Sequence, residues 1–139
     1  MRTAFADAGY WIALLNPRDR LHDKALRFSS ESDPDEIVTS EAVLTEVLNH
    51  FAESGPWLRG AAWSLIGRLC DNRRCRVIPQ TSGQFRDAVR LYGQRPDKQW
   101  SLTDCSSMLI MGAEDIRDAL TCDKHFEQAG FTALLRPDE

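Results

Sequence analysis

Short apolar runs alternate with longer helical patterns along nearly the whole chain, and this alternation limits the fold more than any other feature. The predicted strands are Thr3–Ala6, Ile37–Thr39, Cys75–Ile78, Ala119–Cys122 and Thr132–Leu135. No two-residue hairpin signal joins consecutive runs, so each strand is expected to return through a helix. The sequence therefore predicts a three-layer α/β/α fold in which helices flank a mostly parallel central sheet.

The helices are predicted from their apolar period and from their end signals. The clearest one follows Ser40, a good N-cap residue, and ends at Gly55-Pro56. Its apolar positions are Val43, Leu44, Val47, Leu48 and Phe51. The other predicted helices cover Ala8–Leu15, His22–Ser30, Trp57–Cys70, Thr81–Gln94, Cys105–Ala113 and the segment His125–Ala129.

Length and composition indicate one ordinary globular domain spanning residues 1–139, with 42% apolar and 27% charged residues. The N-terminal apolar stretch Tyr10–Leu15 is too short for a membrane span, and the first residues lack a secretory signal pattern. We therefore expect a soluble, cytoplasmic protein. The four cysteines show no metal-binding spacing and are expected to be reduced thiols.

The net charge of −4 argues against a general nucleic-acid-binding surface. One segment is locally basic despite this net negative charge, because residues 68–76 contain four arginines. Arg73, Arg74 and Arg76 are accordingly candidate contacts for a nucleic-acid backbone or another polyanion, with a solvated loop as the alternative.

Four carboxylates lie at predicted strand ends or in the first turns of predicted helices: Asp7, Glu46, Asp104 and Asp123. A parallel sheet gathers such positions at the carboxyl ends of its strands, where α/β proteins bind ligands. Mg²⁺ and Mn²⁺ take oxygen ligands and keep several waters, so a few carboxylates suffice to bind them. The pattern predicts a divalent metal site that uses these four residues.

Each acid also has a plain local role that the sequence leaves open. Asp7 and Asp123 can cap the helices that follow them, and Asp104 can belong to the capping box Ser101-x-x-Asp104. Asp104 nevertheless begins an apolar stripe, and a carboxylate entering an apolar face needs a partner. Glu46 falls away from the apolar stripe of its helix, so local pattern alone makes it a surface residue.

Clustering has an energetic consequence. Two unit charges about 6 Å apart repel by about 2.8 kcal/mol at an effective dielectric constant of about 20. Three or four clustered carboxylates should therefore bind a cation, or hold a proton, at neutral pH.

Four segments in this order resemble the PIN-domain family, and most closely the VapC-type toxin ribonucleases of toxin–antitoxin pairs. They are F-A-D-A-G-Y-W-I-A-L-L-N-P-R-D-R-L-H, T-S-E-A-V-L-T-E-V-L-N-H, W-S-L-T-D-C-S-S-M-L-I-M and A-L-T-C-D-K-H-F-E-Q-A-G-F. The resemblance implies a Mg²⁺- or Mn²⁺-dependent endoribonuclease, commonly dimeric and inhibited by an antitoxin. It also implies that Asp7, Glu46, Asp104 and Asp123 are the functional acids.

Some positions are less clearly assigned. Gly9 departs from the family pattern, in which many members carry Ser or Thr. Thr103 and Ser106 are candidate hydroxyls behind the metal ligands, although capping and packing are the favoured roles. His125 is predicted to be a packed or surface residue that has the reach to enter the site.

The competing functions come from different classes. A haloacid-dehalogenase-type phosphohydrolase needs a second Asp at position 9, which is glycine here. A PIN-like binding module with a silent site is the main alternative, and the retention of all four acids argues against it. The helices carrying Trp11, Leu26 and Phe28, and those carrying Trp57 and Trp63, are expected to form exposed apolar surfaces in a homodimer and an antitoxin complex.

Overall fold

A computed structural model describes residues 1–136, and its helices and strands alternate along the chain. The strands are β1 (Thr3–Ala6), β2 (Glu36–Ser40), β3 (Cys75–Ile78), β4 (Asp118–Leu120) and β5 (Thr132–Ala133). The helices are α1 (Ala8–Leu15), α2 (His22–Glu31), α3 (Glu41–His50), α4 (Pro56–Asp71), α5 (Ser82–Gln94), α6 (Leu102–Ala113) and α7 (Lys124–Gln128). Among these helices, none has the length and apolar character that crossing a membrane requires.

The strands form one sheet in the order β3-β2-β1-β4-β5, and every pairing between them is parallel. This confirms the predicted α/β fold. From β1 the chain moves outward to β2 and β3, and it later returns to the other side of β1 to form β4 and β5. The order of the strands thus reverses between β1 and β4, and ligands in open α/β sheets bind outside the carboxyl ends of the strands at such a point.

The sheet is sandwiched by apolar side chains. Phe5, Val38 and Leu120, from the three central strands, are fully buried. Helical side chains such as Val43 and Met111 are also fully buried and belong to the same core. This buried centre fixes the three middle strands and therefore fixes the positions of the residues that follow them.

Three helix starts depend on hydroxyl caps. The Ser40 hydroxyl accepts a hydrogen bond from the Val43 N–H at 3.1 Å, and Thr81 caps α5 in the same way. The predicted start of α6 at Cys105 was wrong, because Ser101 is the N-cap and the helix begins at Leu102. Asp104 therefore lies inside the first helical turn.

The two last strands are shorter than predicted. After Leu120 the backbone turns sharply, and the Thr121 N–H donates to the Ala119 carbonyl at 3.0 Å instead of continuing the ladder. Beyond β5, the N–H groups of Leu134 and Leu135 still donate to the carbonyls of Ala119 and Thr121. The predicted apolar run is thus correct in position, but its last residues pair irregularly.

The predicted exposed apolar surfaces need two corrections. Phe28 is half-buried and packs against the core, with its ring centroid 6.5 Å from that of Tyr10. Trp11 is only 3% exposed, and its indole N–H donates to the Thr39 hydroxyl at 3.3 Å, so it belongs to the core. Trp57 and Trp63 on α4 are 70% and 76% exposed, as expected for a surface that meets a partner. Leu26 is exposed as well. The hydrogen bond to Thr39 explains the burial of Trp11, because it pairs the polar atom of the ring.

Ser107 on α6 offers a test of the energetic cost of an unpaired buried hydroxyl. The residue is fully buried, and its hydroxyl has no hydrogen-bond partner within the described part of the chain. An unpaired buried hydroxyl costs about 1–3 kcal/mol of desolvation. We expect Ser107→Ala to raise the free energy of unfolding by about 1 kcal/mol in urea denaturation, whereas Ser106→Ala at a less buried position should change it little. A clear loss of stability in Ser107→Ala would show that the hydroxyl has a partner.

Candidate active site

The site lies at the carboxyl ends of β1 and β4. Asp7 directly follows β1, and its N–H donates to the Leu120 carbonyl at the end of β4 (3.3 Å). The Thr121 hydroxyl donates to Asp7 Oδ2 at 3.1 Å and accepts a hydrogen bond from the Asp123 N–H, also at 3.1 Å. Thr121 therefore connects the two acids that follow the central strands. Sequence analysis missed this role, although a Thr two residues before a strand-end Asp is a recognisable turn signal.

Asp7 is the most electrostatically strained group of the site. It is 9% exposed, and burial raises the pKa of its carboxyl group from 3.8 to about 7. Hydrogen bonds from the Ala8 backbone and the Thr121 hydroxyl oppose this rise, while the charges of Asp104 and Glu46 add to it. A carboxyl group with such a pKa is charged only in part at neutral pH, and a nearby cation would favour its charged form.

Asp104 acts both as a helix cap and as a member of the site. Its Oδ2 accepts the Ser101 N–H at 3.0 Å, while the Ser101 hydroxyl accepts the Asp104 N–H at 3.0 Å, which completes a capping box. The same Oδ2 lies 3.1 Å from His125 Nδ1. The residue is 8% exposed, and Met108 and Met111 follow it into the core. The capping and the functional interpretations of Asp104 are therefore compatible.

Asp123 and His125 face each other across the first turn of α7. Asp123 Oδ1 caps the helix by accepting the His125 N–H at 2.9 Å, and its Oδ2 lies 3.3 Å from His125 Nδ1. One potential ligand atom from each of Asp104, Asp123 and His125 lies within 4.8 Å of the others. His125 is packed, with its side chain 19% exposed, and its ring contacts two of the four acids, so it also reaches the site as the alternative allowed.

Glu46 lies at the rim of the cluster. It is on the exposed side of α3, yet partial loss of water and the charge of Asp104 raise its pKa, while a hydrogen bond from Thr103 opposes the rise. Glu46, Thr103 and Ser106 also line one cavity of about 240 Å³. The structure thus brings Glu46 towards Asp104, which its helical pattern alone does not predict.

The three candidate arginines lie elsewhere. Arg74 precedes β3, at the amino ends of the strands, and pairs with Asp33 at 2.8 Å. Arg76 pairs with Glu114 at 2.8 Å, and Glu114 caps the far end of α6, about 15 Å along the helix from Asp104. Arg73 is exposed in the turn before β3. The structure does not bring these arginines to the acid cluster, and two of them are already paired with acids.

Gly9 lies near the site and has room for a side chain. It is exposed, and a Cβ added there would meet no atom within 4 Å. Packing would therefore allow the Ser or Thr that many family members carry at this position.

Comparisons with known proteins agree with this arrangement. Residues 4–132 match the PIN domain. The chain is 27% identical to the "23S rRNA-specific endonuclease VapC20" of Mycobacterium tuberculosis, in strains CDC 1551 / Oshkosh and ATCC 25618 / H37Rv, over 96% of this chain and 98% of that protein. A crystal structure of the M. tuberculosis protein, described as a sarcin–ricin loop cleaving toxin, superposes with a TM-score of 0.84 at 27% identity, covering 95% of this chain and 98% of the other. The match to the PIN domain spans nearly the whole chain, and this chain belongs to the PIN-domain family.

Proposed function

We propose that this chain is a metal-dependent endoribonuclease and the toxin of a toxin–antitoxin pair. The observation that carries the proposal is the convergence of Asp7, Glu46, Asp104 and Asp123 at the strand order reversal of a PIN domain. A full-length likeness to a ribosomal RNA endonuclease supports it. Retention of all four acids favours catalysis over a role as a silent scaffold.

The residues fit a divalent cation. Carboxylate oxygens dominate the cluster, and they are the ligands that Mg²⁺ and Mn²⁺ prefer. The raised pKa of Asp7 has the cause expected of such a site, since burial and neighbouring acids disfavour its charge while no cationic side chain among residues 1–136 lowers its pKa. We propose Asp7, Asp104, Asp123 and Glu46 as the metal ligands, and Mg²⁺ or Mn²⁺ as the ion.

When bound, such an ion supplies positive charge that lowers the pKa of a water and offsets the charge developing on the phosphoryl group. The protein's own groups set the geometry. Thr121 fixes the Asp7 carboxylate and the Asp123 backbone through its one hydroxyl, and the capping box fixes Asp104. Because secondary structure holds these acids in place, little reorganisation is needed when RNA binds.

The relative's name suggests a substrate class. The M. tuberculosis protein is described as specific for 23S rRNA and as cleaving the sarcin–ricin loop. We propose that this chain likewise cuts a structured loop of ribosomal RNA, in the cytoplasm. The negative net charge of the chain indicates that the phosphate contacts are local and are not spread over a broad basic surface.

Metal dependence tests the proposed function. We expect the purified protein to cleave RNA that contains a sarcin–ricin loop when Mg²⁺ or Mn²⁺ is present, and to stop when EDTA is added. The ion should also raise the melting temperature, since a ligand that binds only the folded state stabilises it by mass action. Cleavage that continues undiminished in chelator, with trace metal removed, contradicts the mechanism.

We also propose that the protein forms a homodimer and binds an antitoxin. On α4, Trp57 and Trp63 are exposed, and a second exposed stripe on α5 carries Phe85, Val89 and Tyr92. Exposed apolar surface of this kind is typical of contacts between proteins. We expect light scattering at micromolar concentration to give the mass of a dimer. We also expect Tyr92→Glu or Trp63→Glu to weaken either dimer formation or antitoxin binding. A protein that is monomeric alone, and stays monomeric when mixed with the candidate antitoxin encoded by the neighbouring gene, contradicts both the homodimer and the antitoxin complex.

A further inference from the structure

His125 lies between two carboxylates of the site. Its Nδ1 is 3.1 Å from Asp104 Oδ2 and 3.3 Å from Asp123 Oδ2, and its side chain is 19% exposed. The metal ligands proposed above are all carboxylates, so the histidine has no assigned task. Its contacts with two acids at once nevertheless set it apart from a residue that only packs.

One potential ligand atom from each of His125, Asp104 and Asp123 lies within 4.8 Å of the others, which is close enough for the three residues to hold one ion. Donor atoms that bind an octahedral ion at about 2.1 Å and at right angles lie about 3.0 Å apart. The two Nδ1–oxygen distances, 3.1 and 3.3 Å, are close to this value. A single N–H on Nδ1 cannot be well aligned with both carboxylate oxygens at once, whereas a cation held by the three residues would satisfy both oxygens and the ring nitrogen.

The backbone holds the ring in this position. The His125 N–H donates to Asp123 Oδ1 at 2.9 Å, and the next residue, Phe126, is fully buried and anchors α7 in the core. The Asp123 N–H is in turn held by Thr121. The imidazole is therefore fixed by the same turn that positions Asp123, so it needs no rearrangement to reach an ion at that carboxylate.

We propose that His125 is a nitrogen ligand of the metal centre and binds the ion through Nδ1 together with Asp104 and Asp123. This inference rests on the metal site of the proposed function and adds a selectivity to it. Imidazole is a softer ligand than a carboxylate and suits transition-metal ions, whereas Mg²⁺ favours an all-oxygen set. His125 thus biases the site towards ions such as Mn²⁺ over Mg²⁺.

Electron spin-echo spectroscopy of the Mn²⁺-loaded protein tests this directly, because a coordinated imidazole adds a ¹⁴N modulation to the echo. The chain has three histidines, so substitution can assign the signal. We expect the modulation in the wild type and in the control His50→Ala, and its loss in His125→Ala. By calorimetry, His125→Ala should weaken Mn²⁺ binding at least about tenfold and Mg²⁺ binding less than about threefold.

Three results would overturn the assignment. Mn²⁺ that binds the wild type without nitrogen modulation, and is lost in Asp104→Asn, leaves the carboxylate site and the ribonuclease function intact but removes His125 from the ligands. Modulation that persists in His125→Ala, or vanishes in His50→Ala instead, has the same meaning. Failure of the wild type to bind Mn²⁺ at all contradicts both this inference and the proposed function.

Discussion

Replacing Asp104 with Asn is expected to slow RNA cleavage at least a hundredfold, which corresponds to about 2.7 kcal/mol of transition-state stabilisation. The variant should stay folded, because the amide oxygen of Asn can still accept the Ser101 N–H that Asp104 accepts at 3.0 Å. Only the charge on which metal binding depends is removed. Single-turnover cleavage measures the first effect, and urea denaturation measures the second.

A matched control lies on the same helix. Glu114→Gln removes a negative charge at the other end of α6, where Glu114 pairs with Arg76 at 2.8 Å, and should leave cleavage within about twofold of wild type. Wild-type rates from folded Asp104→Asn would overturn the site assignment. Two equally inactive proteins, wild type and variant, would instead favour the scaffold function. In a cell, expression of Asp104→Asn should be tolerated where the wild type alone arrests growth.

Asp7→Asn should raise the free energy of unfolding of the metal-free protein while it lowers the rate of RNA cleavage. In metal-free wild type, the pKa of Asp7 is raised to about 7 from 3.8, so the folded state keeps a proton that the unfolded chain has released. Stability therefore falls as pH rises from about 4 to about 7, by up to about 4 kcal/mol, and the full penalty is present above that range. Asn carries no charge to bury, so the variant should lose this pH dependence.

The comparison is made by urea denaturation with chelator present, at pH 5 and at pH 8. At pH 8 we expect Asp7→Asn to be more stable than wild type, and at pH 5 the difference should shrink. Saturating Mn²⁺ should then stabilise the wild type more than the variant, which reverses the order. An Asp7→Asn protein that is less stable than wild type at pH 8 in chelator would show that the Asp7 carboxylate is not strained.

The positions of Asp7 and Asp123 could be predicted from the sequence because they depend on local order. Each follows a buried strand, and parallel strands end at the same edge of the sheet. The role of Asp104 could also be predicted from the sequence, since a carboxylate that precedes Met108 and Met111 on an apolar face needs a partner. The positions of these acids follow from the alternation of strands and helices, which is the clearest structural pattern in the sequence.

Other features depend on packing that no local pattern contains. Glu46 approaches Asp104 because α3 packs against α6, and its own helical wheel indicates only a surface residue. The contact between His125 and Asp104 requires α6 and α7 to meet, whereas the contact with Asp123 is local to the first turn of α7. The arginines are a different case, because Arg74 precedes a strand, and that position already indicates the edge opposite the acids.

The chemistry of the cut ends tests the central claim most directly. If the carboxylate cluster and its ion activate a water, attack on phosphorus displaces the 3′ oxygen and leaves a 3′-hydroxyl and a 5′-phosphate. We predict these ends when RNA cleaved by the wild type is analysed by end-labelling and mass spectrometry. Ends with a 2′,3′-cyclic phosphate and a 5′-hydroxyl would contradict the account, because they would make the RNA's own 2′-hydroxyl the nucleophile in place of a water activated at the acid cluster.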